Sequence, residues 1–305
     1  MSNARTPLYR VGQIKKHFPV LGGVLRRTKG YVRALDGVDL EVFRGETISV
    51  IGESGCGKTT LGRMLALLDK PTGGELSFDF GQGLQDVTTL RGEDRMRFRK
   101  KVQMIFQDPY TSFNPRQRVG AAMDEVLRVH GVKDEAERTA RIQEACEMVN
   151  IRPEYLQRYP HEFSGGQRQR LAIARCLATK PELIIADEIV SALDVSIQAQ
   201  IVNLLLKIQK DTGLSFIFVT HDVAVARYVG NRVAVMYLGN VVEILPADSL
   251  PEAAEHPYTI ALLSAVPSMN PKAKEDRVAL QGEVPSPIDM PSGCAFSTRC
   301  PAVMD

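Results

Sequence analysis

Nine consecutive residues limit the fold of this chain more than any other stretch. They fit the pattern G-x-x-x-x-G-K-[S/T] at every required position. The apolar run 47–51 precedes them, and the segment 61–68, apolar at helical spacing, follows them. The context is therefore strand, glycine loop and helix, which predicts an α/β protein. The nine residues are Gly52, Glu53, Ser54, Gly55, Cys56, Gly57, Lys58, Thr59 and Thr60.

Each required residue type in this loop has a chemical reason. Gly52, Gly55 and Gly57 allow positive φ and bring backbone N–H groups close to phosphate oxygens. The helix that follows presents its N-terminal amides and its dipole to the same oxygens. We expect Lys58 to reach the β- and γ-phosphates and the Thr59 hydroxyl to bind Mg²⁺. A simple strand-to-helix turn would need neither the lysine nor the hydroxyl, so we interpret the loop as a phosphate-binding loop.

Composition narrows the class of protein further. The chain has 305 residues, of which 44% are apolar, which is ample for a buried core. A net charge of +2 gives no reason to expect nucleic acid as a partner. We find no apolar run near 18 residues and no signal peptide, so we expect a chain that neither spans a membrane nor is secreted. Of its five cysteines, Cys56 and Cys176 lie in predicted core segments, as expected of free thiols in a reducing compartment.

The segment before the phosphate loop predicts an antiparallel β subdomain. Alternating apolar residues between 8 and 51 are interrupted by Asp36-Gly37 and by Arg44-Gly45-Glu46, two turn signals. An aromatic ring from this region could stack on adenine, and Phe18 and Tyr31 are the candidates. Ordinary strand packing explains either ring equally well.

A helical insertion is predicted after the next strand. The strand 102–106 ends just before Gln107, where the carboxyl end of a strand would meet a nucleotide. Charged helical segments then follow without a strand over residues 113–163. We therefore predict an inserted helical subdomain at about 108–163.

A second helix start carries two consecutive glycines. The residues Ser164, Gly165, Gly166 and Gln167 open a helix that continues through 170–178. Serine is a good N-cap, so a capped helix is the simplest interpretation. Two glycines are poor helix formers, however, and close approach to another group would explain them.

Acidic residues and a histidine follow buried strands further along. The apolar run 183–186 ends at Asp187 and Glu188, and carboxylates at a strand's carboxyl end lie where open α/β sheets bind ligands. We expect Asp187 to hold Mg²⁺ through water and Glu188 to accept a proton from the attacking water. His221 follows the strand 216–220 at the same predicted sheet edge. We therefore assign it a contact with the γ-phosphate.

Together these motifs closely resemble the ATP-binding subunits of ABC transporters over residues 10–245. The resemblance implies a P-loop NTPase (ABC ATPase) core sheet with an N-terminal antiparallel β subdomain, an inserted helical subdomain and an irregular C-terminal extension, divided at 5–245 and 246–305. Phe163 stands where the family usually has Leu, and Ile189-Val190 where it often has Pro-Thr. The matching segments are Gly52–Thr60, Gln107, Ser164–Gln167, Asp187-Glu188, Ser191–Asp194 and His221.

The resemblance also implies roles for these residues. Glu188, His221, Lys58 and Gln107 would be catalytic, and Thr59, Gln107 and Asp187 would hold Mg²⁺. Residues 164–167 would bind the γ-phosphate of ATP on a second ATPase chain, with Asp194 beside the nucleotide. ATP would then join two subunits, and hydrolysis would let them separate.

The C-terminal extension is similar to that of the oligopeptide, dipeptide and nickel importer ATPases. The resemblance rests on 255–259, 282–287 and 291–301. It implies two transmembrane permease subunits, a second ATPase subunit and an extracytoplasmic solute-binding protein as partners. Some members bind an iron–sulfur cluster through four cysteines here, whereas this chain shows only Cys294 and Cys300. Two surface thiols are therefore preferred over a cluster.

The leading hypothesis is a peripheral ATPase on the cytoplasmic face of the membrane that powers uptake of peptides or a similar small solute. A soluble ABC ATPase in DNA repair or translation is the alternative, but such proteins usually carry a long coiled coil or two cassettes. A third hypothesis is a module that assembles with partners but does not hydrolyse ATP. The presence of Lys58, Glu188 and His221 argues against it. A P-loop kinase would leave residues 164–167 and His221 without a role.

Overall fold

A computed structural model describes residues 6–22, 27–108, 112–265 and 282–303. The chain divides into two compact units. The first unit comprises residues 1–42, 47–88 and 219–305, and the second comprises residues 43–46 and 89–218. The first unit thus includes residues from both sides of the predicted boundary at 245.

The strands that precede and follow the phosphate loop in the first unit are β1 (Pro7–Gly22), β2 (Arg27–Phe43), β3 (Thr47–Ile51), β4 (Gly73–Asp79) and β5 (Leu84–Asp86). Four of them form an antiparallel sheet with the order β2-β1-β4-β5. Tyr9 lies opposite Phe78 in the β1–β4 register, and both side chains are buried. The predicted antiparallel β subdomain is therefore confirmed.

One predicted turn in this subdomain is wrong. Strand β2 continues through Asp36 and Gly37, and Gly37 takes a φ of +99° within the strand. The glycine thus permits a local irregularity without ending the strand. The turn predicted at 44–46 is present, with Gly45 at a φ of +70°.

Strand β3 belongs to a second set of paired strands in the first unit. It pairs in parallel with β9 (Arg232–Tyr237), which pairs antiparallel with β10 (Asn240–Pro246) in a hairpin. The helices of this unit are α1 (Lys58–Leu65), α7 (Val223–Val229) and α8 (Pro257–Ser264). The buried core of the unit includes Ile51, Val233, Tyr237, Tyr258 and Phe296.

The second unit combines a short parallel sheet with helices. Strands β6 and β7 are parallel, with Ile105 opposite Ala186, and β8 lies beside β7. The last residue of β8, Val219, belongs to the first unit. The elements are α2 (Gly92–Lys101), β6 (Val102–Ile105), α3 (Val119–Val129), α4 (Glu135–Met148), α5 (Gly165–Leu177), β7 (Leu183–Asp187), α6 (Val195–Thr212) and β8 (Ser215–Val219).

The stretch predicted to be a helical subdomain contains α3 and α4. Among its described residues, 108 and 112–163, the structure has no strand; residues 109–111 lie outside the description. Two short 3₁₀ helices, Pro153–Gln157 and Pro160–Glu162, lead towards α5. No helix in the described part of the chain is both long and apolar enough to cross a membrane.

Candidate nucleotide-binding site

The phosphate loop adopts the backbone that its glycines predict. The φ angles of Gly52, Gly55 and Gly57 are +152°, +81° and +107°. A Cβ atom at Gly52 would clash with the carbonyl oxygen of Met236, and one at Gly57 would clash with that of Ala34. Both positions therefore require glycine for space as well as for conformation.

Lys58 lies inside the curve of this loop. It is the first residue of α1, and it is only 5% exposed. Its ammonium donates hydrogen bonds to the carbonyl oxygens of Gly52 at 2.8 Å and Glu53 at 3.0 Å. Burial raises the pKa of the nearby Cys56 thiol, although the Lys58 charge opposes the shift. The loop thus contains a buried cation and a neutral thiol.

Neighbouring segments of the first unit hold the loop in place. The Gly239 N–H donates to the Cys56 carbonyl oxygen at 2.8 Å. The Glu53 N–H donates to the Tyr258 hydroxyl at 2.9 Å, and Arg299 donates to the Glu53 carboxylate at 2.9 Å and 3.3 Å. The contacts with Tyr258 and Arg299 were not predicted, since these residues lie 205 and 246 positions from Glu53 and share no motif with it.

His221 lies in the first unit at the end of β3 that leads into the loop. The preceding residue, Thr220, donates its N–H to the Val50 carbonyl oxygen at 3.1 Å. His221 is exposed, and Asp222 caps α7 by accepting the Val225 N–H at 3.1 Å. The structure therefore places the predicted histidine at the same strand end as the phosphate loop.

Both candidate adenine-stacking rings are on the surface of the first unit. Phe18 is 41% exposed and Tyr31 is 51% exposed, so neither is a core residue. The Lys16 ammonium lies 5.0 Å from the centre of the Phe18 ring. Strand β2 approaches the phosphate loop at Ala34, three residues from Tyr31. Of the two candidates, Tyr31 therefore lies on the strand that approaches the loop.

In the second unit, the structure brings Gln107 and Glu188 together. Each lies two residues beyond the paired positions Ile105 and Ala186, because β6 and β7 are parallel. The Gln107 amide donates to the Glu188 carboxylate at 3.0 Å. Asp187, the last residue of β7, is 2% exposed. Two of the predicted catalytic side chains therefore form a direct hydrogen bond.

Glu188 has a left-handed backbone, with a φ of +46°. Such a conformation is unfavourable for a residue other than glycine, and it is common at functional sites. The Ser191 N–H and hydroxyl both donate to the Glu188 carbonyl oxygen, at 3.1 Å and 2.8 Å. This turn fixes the backbone from which the carboxylate projects.

The Asp194 side chain caps helix α6. Its carboxylate accepts the Ser196 hydroxyl at 2.7 Å and the Ile197 N–H at 3.0 Å. The Ser196 and Ile197 hydrogen bonds lower the pKa of this carboxyl group. Within the described second unit, Asp194 thus has a local structural function.

The segment 164–167 forms a capping box at the start of α5. Ser164 accepts the Gln167 N–H at 3.3 Å, and the Gln167 side chain accepts the Ser164 N–H at 3.0 Å. A Cβ at Gly166 would lie 2.7 Å from the Ile197 Cγ2 atom, whereas one at Gly165 would meet only Leu193 at 3.6 Å. The close approach that two glycines suggested is therefore present at Gly166, where α6 provides it.

The C-terminal cysteines do not form a metal site by themselves. Cys294 is exposed, Cys300 is partly buried, and both are free. Among the described residues, no group of three or more His, Cys, Asp or Glu side chains could hold a metal ion. An iron–sulfur cluster needs four thiolates, so these residues do not fit one.

Comparison with known proteins gives two matching family models. Residues 35–191 match "ABC transporter", and residues 242–305 match "Oligopeptide/dipeptide transporter, C-terminal region". The chain is 47% identical over 291 residues to the oligopeptide transport ATP-binding protein AppF of Bacillus subtilis (strain 168), covering 94% of this chain and 87% of that one. It is 44% identical over 295 residues to the dipeptide transport ATP-binding protein DppF of Haemophilus influenzae (strain ATCC 51907 / DSM 11121 / KW20 / Rd), covering 97% and 89%.

A solved structure is also similar. It is the dimeric post-hydrolysis state of the ATP-binding cassette MJ0796 bound to ADP and Pi. The TM-score is 0.67 at 29% identity, and the match covers 78% of this chain and 98% of that one.

Proposed function

This chain belongs to the ABC transporter family of ATPases, and from that premise we propose that it powers the import of peptides or a similar small solute. The observation that carries the proposal is the match of residues 242–305 to the oligopeptide/dipeptide transporter C-terminal region. The names of the relatives in Bacillus subtilis and Haemophilus influenzae point to the same class of solute.

The first unit would bind the nucleotide. Backbone N–H groups of residues 52–60 would face the phosphates, and Lys58 would exchange the carbonyl oxygens of Gly52 and Glu53 for the β- and γ-phosphates. Tyr31 would stack on adenine, a role that we prefer for it over Phe18 because β2 contacts the loop. His221 would contact the γ-phosphate from the carboxyl end of the sheet.

The second unit would supply the proton acceptor for hydrolysis. The Glu188 carboxylate would take a proton from the attacking water, and the Gln107 amide would orient that carboxylate through the hydrogen bond between them. When bound, Mg²⁺ would neutralise charge on the phosphates, with Asp187, Gln107 and the Thr59 hydroxyl as the protein groups that hold it. A hydroxyl, an amide and a carboxylate are suitable oxygen donors for Mg²⁺, which keeps waters and phosphate oxygens as its other ligands.

Residues 164–167 would act on the nucleotide of a second ATPase chain, either a copy of this one or a related subunit. The Ser164 oxygen accepts a hydrogen bond within its own helix, but its hydrogen can still be donated to a phosphate. The N–H groups at the start of α5 would add to this anion site, and Asp194 would lie beside the same nucleotide.

The proposal assigns the chain to the cytoplasmic face of the cell membrane as a peripheral subunit. Its partners would be two transmembrane permease subunits, a second ATPase subunit and, indirectly, an extracytoplasmic solute-binding protein. Nucleic acid is not among them, and nothing observed favours a function in DNA repair or translation. An iron–sulfur cluster is not included because Cys294 and Cys300 supply only two thiolates.

Purification from gently solubilised membranes of the host tests this assignment. We expect mass spectrometry to identify two multi-spanning subunits and a second ATPase together with the tagged chain. Recovery of ribosomal or DNA-repair proteins without membrane subunits would contradict the proposal.

A further inference from the structure

The C-terminal extension contacts the phosphate loop at Glu53. The Tyr258 hydroxyl, from α8, accepts the Glu53 N–H, and the Arg299 guanidinium binds the Glu53 side chain. A second contact of the extension lies on β2, where the Pro287 carbonyl oxygen accepts the Arg33 N–H at 3.0 Å. The extension therefore meets two of the segments of the first unit to which we assign nucleotide contacts, the phosphate loop and β2.

Arg299 is held tightly in this arrangement. Two of its nitrogens donate to the two Glu53 oxygens at 2.9 Å and 3.3 Å, and one of them also lies 3.5 Å from the Tyr237 hydroxyl. The Arg299 side chain is 7% exposed and that of Glu53 is 26% exposed. Burial alone would lower the pKa of this guanidinium, but its hydrogen bonds to Glu53 and Tyr237 raise it overall. The two side chains therefore form a mostly buried, bidentate ion pair.

Aromatic packing fixes the segments that carry these contacts. The Tyr258 ring lies 4.6 Å from the Tyr237 ring and 5.5 Å from the Phe296 ring, centre to centre. All three rings are fully or almost fully buried in the core of the first unit. Phe296 precedes Arg299 by one helical turn, in the segment that ends with the 3₁₀ helix Ser297–Arg299. The arginine is thus anchored by its own segment.

A carboxylate within a phosphate loop opposes the loop's function. Glu53 adds a negative charge next to N–H groups that would bind a highly negative triphosphate. Two negative charges so close together repel each other. The Arg299 guanidinium neutralises that charge by binding the carboxylate directly. The Arg299–Glu53 pair therefore adds no net charge to the loop, which keeps the buried Lys58 ammonium as its cation.

We propose that Arg299 is a positioning residue for nucleotide binding. It neutralises the Glu53 carboxylate and so removes its repulsion of the ATP phosphates. The ATP affinity of the loop therefore depends on the C-terminal extension. This inference rests on the proposed function, in which the loop 52–60 binds the nucleotide. Arg299 itself does not touch the nucleotide in this account.

The test compares full-length variants by the binding of a fluorescent ATP analogue and its ADP counterpart with Mg²⁺. The variants are Arg299→Ala, Arg299→Lys, Glu53→Gln and the double variant Glu53→Gln/Arg299→Ala. Arg10→Ala is the matched control, because it removes a 2.7 Å arginine–carboxylate pair with Glu41 that lies in the antiparallel sheet of the same unit. Thermal unfolding of each variant is followed in parallel.

We expect Arg299→Ala to weaken ATP binding about tenfold, a size typical of coupling between two sites, while Arg10→Ala does not. The loss should be smaller for ADP, which carries less charge, and smaller at high salt, which screens the Glu53 carboxylate. Arg299→Lys, which keeps the charge, should lose less. The double variant should regain most of the affinity, because the repelling carboxylate is gone.

Two results would overturn the inference. One is ATP affinity in Arg299→Ala equal to that of the wild type. The other is a double variant as weak as Arg299→Ala, which would mean that the arginine only fastens the extension. If Arg299→Ala does not fold, the ATP affinities of Arg299→Lys and of the double variant test the inference instead. Charge repulsion by Glu53 predicts that both variants bind ATP, because the first keeps the positive charge and the second lacks the carboxylate. A wild-type chain that binds no ATP would instead contradict the proposed function.

Discussion

Glu188 shows at the scale of one residue how backbone and side chain combine at this site. Its left-handed backbone is unfavourable, yet two hydrogen bonds from Ser191 hold it. Its carboxylate accepts a hydrogen bond from the Gln107 amide at 3.0 Å.

Glu188→Gln should bind ATP but lose turnover by a factor of about 10²–10⁴, the usual contribution of a general base. The amide keeps the shape of the carboxylate but does not take a proton from water. Phosphate release and nucleotide binding, measured separately, check the two halves of the prediction. Glu182→Gln, at the other end of β7, is the control and should hydrolyse ATP. Turnover at the wild-type rate in Glu188→Gln would exclude the assigned role.

Lys58→Ala should weaken ATP binding itself. Hydrogen bonds to charged groups contribute about 1.5–3 kcal/mol each, so we expect a loss of about tenfold to a hundredfold in affinity. The ammonium is buried within the loop, and in the proposed function its charge would meet the phosphates in the ground state. Equilibrium binding of a fluorescent nucleotide measures the change, with Lys210→Ala on the surface of α6 as control. Unchanged affinity in Lys58→Ala would mean that the lysine does not contact the phosphates.

Local motifs correctly predicted the backbone of the loop glycines and the places of Lys58 at a helix start and Glu188 after a buried strand. They were not sufficient for Arg299 and Tyr258. Neither has a motif partner nearby, and the contact with Glu53 forms only when β9 and the extension fold against the loop. Long-range side-chain contacts of this kind depend on packing, which a local pattern does not contain.

At the scale of elements, helices α5 and α6 of the second unit pack closely at one glycine. Gly166 lies where a Cβ atom would be 2.7 Å from Ile197, whereas Gly165 has ordinary space. The two glycines are therefore not equivalent in the packing of the fold, although their adjacency suggests a common reason.

Gly166→Ala should destabilise the protein by about 1–3 kcal/mol, as overpacking commonly does. Gly165→Ala should have little effect or a slightly favourable one, because alanine is the better helix former. Chemical denaturation with both variants measures the difference in the free energy of unfolding. Equal stability of the two variants would show that α6 moves away at no cost.

The buried strands β7 and β8 were predicted correctly from their apolar runs. Helix α6 ends at Gly213, which takes a φ of +69°. The turn at Asp36-Gly37 was predicted wrongly because a glycine inside a strand looks the same as a glycine in a turn. Strand β5 was not predicted, since three residues carry too little pattern.

At the scale of the whole molecule, the proposal requires two ATPase chains. The ADP-bound structure to which this chain is similar is itself dimeric. The start of α5 offers N–H groups and a hydroxyl that its own capping box does not exhaust. This chain contains no residues that identify the transported solute, because in the proposed function other subunits contact it.

ATP should therefore join two ATPase chains in the Glu188→Gln variant, because the bridging γ-phosphate is not removed. Light scattering on the variant purified from its host should show a complex of two ATPase chains with ATP and Mg²⁺, and single chains with ADP. Adding Ser164→Ala to this variant should weaken the complex, because it removes a hydroxyl that would donate a hydrogen bond to the γ-phosphate. A mass independent of nucleotide would contradict ATP-driven association.

The central claim is that hydrolysis at Glu188 drives peptide uptake, and transport in the host tests it most directly. The measurement is accumulation of a labelled dipeptide and a labelled oligopeptide in cells whose own copy of the gene carries Glu188→Gln, with Glu182→Gln as control. We predict that uptake of at least one peptide is lost in the first strain and kept in the second. Uptake of both peptides at the wild-type rate, together with a defect in DNA repair or translation, would contradict the account.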